Sequence, residues 1–347
     1  MRAESRLSNR RRIIIKAVVS EYIVSAQPVS SETIVRKYKL DASTATVRND
    51  MVALEEEGFI HRPHTSAGAV PLDRAYRYYV ESLLETRELP SQEQILIQHL
   101  FHQVETHLGE WTRLAAAVLS RISQNAALVT VPKSTQCRFK HVELVSVQEV
   151  LALLVLVLRE ARVKQQLLSL DVACSQDEMW SVANRLNGMY RSLTSVEIAG
   201  LKVELSPIEK QVTRNIVELM EADDSSQYED IYLHGVRHML SQPEFVGQAL
   251  PLGLMEVLEE RSLLNGMLPD MTQEEGVKVV IGDENREEGI RDCSLVVSRY
   301  GIPGEIGGLL GVLGPTRMRY DYTIATVRYM STLMSELVSE LYGRAKN

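Results

Sequence analysis

The stretch from Leu40 to Pro71 constrains the start of the chain most strongly, because it places a helix directly before a short hairpin. Ser43 stands where a helix N-cap belongs. The apolar residues after it have helical spacing and define one buried face: Ala45, Val47, Met51 and Leu54. Gly58 ends the helix, and residues 59–71 hold two extended segments around an Ala67-Gly68 turn. The sequence therefore predicts a helix with a two-stranded wing.

Two further helices are predicted before this stretch. Residues 10–25 carry an apolar stripe at helical spacing, and Gln27-Pro28-Val29 breaks it. Ser30 or Ser31 then caps a second short helix that reaches Tyr38. Three helices followed by a wing make a winged helix-turn-helix, in which the last helix enters the DNA major groove. For Leu40–Pro71 taken alone, an ordinary helix and hairpin packed into a core is the alternative.

The predicted DNA contacts fall into three groups of polar and basic side chains, which are the types that bind phosphates and base edges. The helix supplies Ser43, Thr44, Thr46, Arg48 and Asn49. The wing supplies Arg62, His64, Thr65 and Ser66. The basic lead-in supplies Arg10, Arg11 and Arg12.

The charge distribution agrees with DNA binding although the total is −8. Residues 1–80 hold 13 Lys or Arg against 9 Asp or Glu, a net of +4, which leaves −12 on the rest of the chain. A basic head can neutralise phosphates while an acidic body reduces nonspecific binding to polyanions. A solvated tail is the alternative for the leading arginines.

The chain also resembles the HrcA family of heat-inducible transcription repressors. The resemblance begins at Ser43-x-Ala45-Thr46-Val47-Arg48-Asn49-Asp50-Met51, and continues through Leu54-Glu55-Glu56-x-Gly58, Pro63-His64-Thr65-Ser66-Ala67-Gly68-x-x-Pro71 and Tyr76-Arg77-Tyr78-Tyr79-Val80. It returns near the end at Ile281-Gly282-x-Glu284-Asn285 and Gly314-Pro315-Thr316-Arg317-Met318-x-Tyr320. It therefore spans nearly the whole chain.

The remaining residues predict an α/β layer. A long helix is expected over 92–123, and strands over 140–144, 150–158 and 161–171, with a helix over 176–190. Strands return at 277–281, 295–300 and 307–313, before a closing helix over 321–342. We interpret this as a sheet split by a helical insertion.

The predicted fold is thus an α+β multidomain chain, for which the resemblance implies a GAF-like α/β domain interrupted by an inserted dimerisation domain. We expect the winged helix-turn-helix with its connecting helix at 1–89, the GAF-like domain at 90–191 and 251–347, and the inserted domain at 192–250. A partner related by two-fold symmetry suits a protein that reads DNA through one helix.

The resemblance implies a homodimeric repressor of chaperone operons. It further implies that the operator is the inverted repeat called CIRCE and that the GroEL chaperonin helps to keep the repressor active. One alternative is a repressor that senses a small molecule in the GAF-like domain, although the segments expected to line a pocket, 150–158 and 309–313, are mostly apolar. The other is a winged domain that docks proteins instead of DNA.

No catalytic, cofactor or metal motif stands out in the sequence. The glycine-rich residues 301–314 lack phosphate-loop spacing, and His61 and His64 have no further ligand nearby. Three scattered cysteines predict buried thiols in a reducing cytoplasm. The longest apolar run, Val150–Leu158, is too short to cross a bilayer. We expect no enzyme activity and no membrane association.

Overall fold

The structure is a computed structural model that describes residues 7–63, 68–83, 88–104, 107–134, 136–159, 163–225, 231–246, 254, 276–303 and 305–342. In chain order its elements are α1 (Asn9–Ser25), α2 (Ser31–Tyr38), α3 (Thr44–Glu56), β1 (Ile60–His61), β2 (Val70–Pro71), α4 (Asp73–Glu81), α5 (Ser91–His102), α6 (Leu108–Ser123), β3 (Ala126–Thr130), β4 (Lys133–Ser134), β5 (Phe139–Gln148), β6 (Leu151–Leu158), β7 (Val163–Ser169), α7 (Gln176–Tyr190), α8 (Ser195–Ala199), α9 (Pro207–Ser225), β8 (Ile231–His234), α10 (Val236–Leu240), β9 (Val277–Ile281), β10 (Cys293–Ile302), β11 (Ile306–Pro315) and α11 (Tyr320–Leu341). The chain forms two compact units. One comprises Met1–Pro132, Asp230–Ile302 and Gly308–Asn347, and the other Lys133–Glu229 with Pro303–Gly307.

The first unit begins with the predicted winged helix-turn-helix. Its three helices each start at a serine, Ser8, Ser30 or Ser43, whose side chain accepts a hydrogen bond from the backbone N–H three residues later. The wing strands β1 and β2 pair antiparallel, with Ile60 opposite Pro71. Because these caps are local, the sequence predicts where each helix starts.

A mixed layer of helices and strands completes the first unit. Its sheet has the order β8-β3-β11-β10-β9, and α6 and α11 pack against it and against each other. Every residue of β3 is buried, as is most of β10 and β11. Both faces of these strands are thus covered, which explains their continuous apolar runs.

The second unit has its own sheet, in which β6 lies between β5 and β7 and pairs antiparallel with both. Side chains alternate along β6: Ala152, Leu154, Leu156 and Leu158 are buried in a core shared with α7 and α9. Asn187 of α7 joins the two layers, because its amide donates to the Val142 carbonyl and accepts from the Val142 N–H.

The structure confirms the α+β class, but the grouping of strands differs from expectation. Strands β5, β6 and β7 do not belong to the sheet that contains β9, β10 and β11. The segment 192–250 is divided, since α9 belongs to the second unit and β8 pairs with β3 in the first. Periodicity identifies a strand, whereas its neighbour depends on contacts between distant parts of the chain.

One local prediction was also wrong, and one strand was missed. The single helix over 92–123 is two helices, α5 and α6, with a break between residues 102 and 108. The strand β3 was not predicted, because the short apolar run Ala126–Thr130 follows a helix directly and has no two-residue alternation.

Candidate nucleic-acid interface

The helix α3 presents one polar face to solvent. Thr44, Arg48 and Asn49 are exposed and lie on adjacent turns. Among the residues that the structure describes, none forms an ion pair or a side-chain hydrogen bond with these three. Their donors and acceptors are therefore available to phosphates or base edges.

The other two predicted contacts on α3 form its cap. Ser43 accepts from the Thr46 N–H at 3.1 Å, and the two hydroxyl oxygens are 2.9 Å apart. Ser43 is exposed and Thr46 is half-buried. These side chains define where the helix begins, and Thr44 follows the cap as the first helical residue.

The inner face of α3 consists of Val47, Asp50, Met51 and Leu54. The expectation that Ala45 lies on this face was wrong, because Ala45 is exposed. Asp50 is buried at the edge of the stripe, where it meets two basic side chains of α1. A charged residue has a place in this core only because these partners compensate its charge.

Arg10 and Arg11 of α1 contact the buried side of α3. Both guanidinium groups contact the Asp50 carboxylate, and Arg11 also bonds to Glu57 at 2.9 Å. Burial alone would raise the pKa of Asp50, but the hydrogen bonds and charges of the two arginines outweigh it, and the pKa is lowered. Arg12 is half-buried on the same helix. Arg10 and Arg11 therefore brace α3 against α1, a role that sequence reasoning missed.

Arg62 has a similar internal role at the base of the wing. Its backbone N–H donates to Glu55 Oε1 at 2.8 Å and its Nε donates to Glu55 Oε2 at 2.7 Å, and the side chain is 13% exposed. Burial by itself would raise the Glu55 pKa, but these bonds lower it. The acidic end of α3 thus anchors the wing. The predicted wing contacts His64, Thr65 and Ser66 lie outside the described residues.

The return strand of the wing passes very close to the connection between α1 and α2. Val29 and Ala69 exchange backbone hydrogen bonds at 2.9 and 2.8 Å. A Cβ at Gly68 would lie 2.5 Å from the Pro28 carbonyl carbon. This approach requires glycine and was not recognised in the sequence.

One group of potential metal ligands occurs among the described residues. Cys137, Asp223 and Asp224 place their ligand atoms within 4.8 Å of one another. The ammonium groups of Lys164 and Lys133 lie 3.1 and 3.8 Å from Asp223 Oδ1, so the buried carboxylate has cationic partners in the protein itself. This is a buried ion-pair cluster. The three cysteines are buried as predicted, and burial raises the pKa of Cys293 to about 12.

These features define the class of the protein. A capped helix with an exposed polar face, two bracing helices and a wing form a winged-helix DNA-binding domain. Residues 10–71 match the model of the DeoR-like helix-turn-helix domain. No helix in the described part of the chain is long and apolar enough to span a membrane.

The chain belongs to the HrcA family of heat-inducible transcription repressors. Residues 110–324 match the model of the HrcA protein C-terminal domain. A heat-inducible transcription repressor HrcA of Dehalococcoides mccartyi is 46% identical over 339 residues, which is 98% of each chain. The Roseiflexus castenholzii protein of that name is 44% identical, with 97% of this chain and 96% of the other covered. This is a family of repressors, not of enzymes.

A solved structure supports the fold. It is described as that of a hypothetical protein, matches 96% of this chain and 99% of its own, and has 24% identity with a TM-score of 0.62.

Proposed function

We propose that this protein represses chaperone operons by binding the inverted-repeat CIRCE operator as a homodimer in the cytoplasm. The observation that carries the proposal is the exposed set Thr44, Arg48 and Asn49 on a helix whose inner face is fixed by ion pairs. In this proposal α3 enters the major groove, and the three side chains contact bases or phosphates. His64, Thr65 and Ser66 of the wing would contact the adjacent backbone.

The roles of the remaining basic residues change in this proposal. Arg10, Arg11 and Arg62 are engaged by Asp50, Glu57 and Glu55, so we assign them to bracing the helix and the wing. The direct contacts then come from side chains without such partners. The DNA affinity depends on the braces through the orientation of α3.

An apolar face of the second unit supports the homodimer. On the side of the sheet opposite α7 and α9, Leu153 of β6 lies between Val145 of β5 and Leu167 of β7. Val145 is 41% exposed and Leu167 is 59% exposed. Apolar side chains aligned across three strands are unusual on a free surface. We therefore propose the two-fold contact on this face of β5, β6 and β7, which precedes the segment 192–250 to which the sequence analysis assigned dimerisation.

The oligomeric state tests this contact. Leu167→Glu should convert the dimer to a monomer at micromolar concentration, measured by light scattering after size exclusion, because it places a charge in the apolar face. Trp180→Glu is the matched control, since Trp180 is 51% exposed on α7, which covers the opposite side of the sheet. A Leu167→Glu protein that stays dimeric would place the interface elsewhere.

Operator binding is the central experiment. Fluorescence anisotropy with a CIRCE duplex and a scrambled duplex, at several salt concentrations, should give an affinity ratio of at least ~10³. A folded dimer that binds no duplex at any salt concentration would instead support the protein-docking alternative.

We further propose that GroEL maintains the active repressor and that heat diverts the chaperonin. A chain that leaves one sheet to build a second and then returns has many nonlocal contacts, which slow folding and favour aggregation. Recovery of operator binding after heating should therefore rise when GroEL, its co-chaperonin and ATP are added. Full recovery without chaperonin would favour direct temperature sensing.

A further inference from the structure

A polar junction joins the winged-helix domain to the sheet of its own unit, at the first turns of α4. Asp73 Oδ2 accepts from the Asp283 N–H at 2.8 Å. One turn later, Arg77 donates from Nε to Glu284 Oε1 at 2.8 Å and from Nη2 to the Val279 carbonyl at 2.7 Å. Both contacts involve β9 and the turn that follows it.

A second contact of the junction is made by Arg317, just before α11. Its guanidinium donates to the Ile23 carbonyl, in the last turn of α1, and pairs with Glu244. The carbonyls of a last helical turn lack helical partners and favour a cation. The Arg317 side chain is 12% exposed, so the winged helix and the sheet share a mostly buried charge.

A cavity separates the two sides of the junction over part of its area. Its volume is about 740 Å³, and its lining includes Tyr22, Leu72 and Arg74 from the winged-helix side and Phe245 and Arg291 from the other. Tyr76 of α4 packs against Tyr320 across the junction, with ring centroids 6.0 Å apart. Beside the cavity, the polar contacts of Asp73, Arg77 and Arg317 add to this packing in setting the orientation of the winged helix. An interface of this kind allows relative motion when its contacts are lost.

We propose that Arg77 and Arg317 are positioning residues, which set the angle of the DNA-reading helix on its unit and thereby the spacing of the two helices in the dimer. This rests on the proposed function, since it concerns a dimer that binds an inverted repeat. When the two winged-helix domains of a dimer are held at the spacing of the half-sites, binding of the first places the second at a high effective concentration near its own half-site. Domains held at variable angles lose this advantage. A purely structural role would instead reduce binding of one half-site and of two half-sites alike.

The test uses the full chain and two duplexes, a single half-site and the complete inverted repeat. Arg77→Glu should reduce the affinity for the complete repeat about tenfold or more, with half-site affinity unchanged. Glu284→Arg alone should have the same effect. The double variant should recover at least half of the loss on a logarithmic scale, because the pair is restored with its charges exchanged.

Parallel loss on the two duplexes, or no loss on either, would overturn the proposal. Equal folding of the variants is checked by circular dichroism and thermal unfolding. If Arg77→Glu does not fold, Gly282→Ala tests the same junction without changing a charge. Gly282 has a φ of +51°, and a Cβ there would collide with the Asp73 carboxylate. The same selective loss on the complete repeat is expected from it.

A measurement without DNA separates this proposal from the proposed function. Amide hydrogen exchange of α4 and of residues 280–285 should be faster in Arg77→Glu than in the wild type and slower again in the double variant. If no duplex is bound, the proposed function fails but exchange still reports on the junction. Unchanged exchange in Arg77→Glu would show that Arg77 does not hold it.

Discussion

Arg48 is the residue whose removal should separate DNA binding from stability most cleanly. Its side chain is exposed, and the part of the chain that the structure describes offers it no carboxylate partner. Arg48→Ala should therefore leave the free energy of unfolding within about 0.5 kcal/mol of the wild type. The substitution should therefore change the affinity for the operator and little else.

The expected loss of affinity depends on how many winged-helix domains contact the duplex. Loss of a bidentate base contact costs about 1 to 3 kcal/mol for one head, or about 5- to 150-fold on a single half-site. A dimer on the complete repeat loses the contact twice, so the cost is about 2 to 6 kcal/mol, or about 30-fold to 2 × 10⁴-fold. The comparison of one and two half-sites thus gives an internal check.

The assay is fluorescence anisotropy at fixed salt, with two matched variants. Arg48→Lys keeps the charge but loses the planar fork, so it should restore binding only if the contact is to a phosphate. Arg214→Ala removes an exposed arginine from α9 in the other unit and should have little effect. An unchanged Arg48→Ala affinity for the operator would refute the assigned orientation of α3.

Three other predictions concern the fold and the ion pairs. Gly68→Ala should destabilise the protein by about 1 to 3 kcal/mol in thermal unfolding, because the new Cβ would meet the Pro28 backbone; Gly188→Ala, with nothing within 4 Å of its Cβ, is the control, and equal midpoints would contradict the close approach of the wing to Pro28. Glu55→Gln should lower stability at pH 7, since the folded pKa of Glu55 is depressed and its contribution is present above the unfolded pKa. That difference should shrink as the pH falls below the unfolded pKa and vanish as it passes through the folded pKa, and a difference that does not change with pH in this acidic range would show that charge is not its source. Asp50→Asn should follow the same pH dependence, and it should also weaken operator binding because Arg10 and Arg11 would no longer fix α3. Unchanged operator affinity in a folded Asp50→Asn protein would show that these pairs do not orient the helix.

The bracing of α3 has a consequence for how the domain reads DNA. Carboxylates near a DNA surface would repel phosphates, yet α3 ends in Glu55 and Glu56 and is followed by Glu57. Glu55 pairs with Arg62 at the base of the wing and Glu57 pairs with Arg11 of α1, so both carboxylates are neutralised within the domain. The acidic C-terminal end of α3 thus stabilises the winged-helix domain, while its polar and basic N-terminal end faces the DNA.

The sequence by itself determined the local structure and the family. Serine caps, three- and four-residue apolar spacing and Gly58 predicted the helices of the winged domain to within about two residues of the observed ends. These signals are readable because each acts between residues a few positions apart. The motif sequences identified the family for the same reason.

Only the tertiary structure decided which basic residues are free. Arg10 and Arg48 look alike in the sequence, but Arg10 meets Asp50, which lies 40 positions away, and Arg48 meets solvent. The grouping of strands has the same origin, since β8 pairs with β3 across about a hundred residues. Charge pairing and strand pairing depend on distances in space, and an apolar or polar pattern along the chain carries no information about those distances.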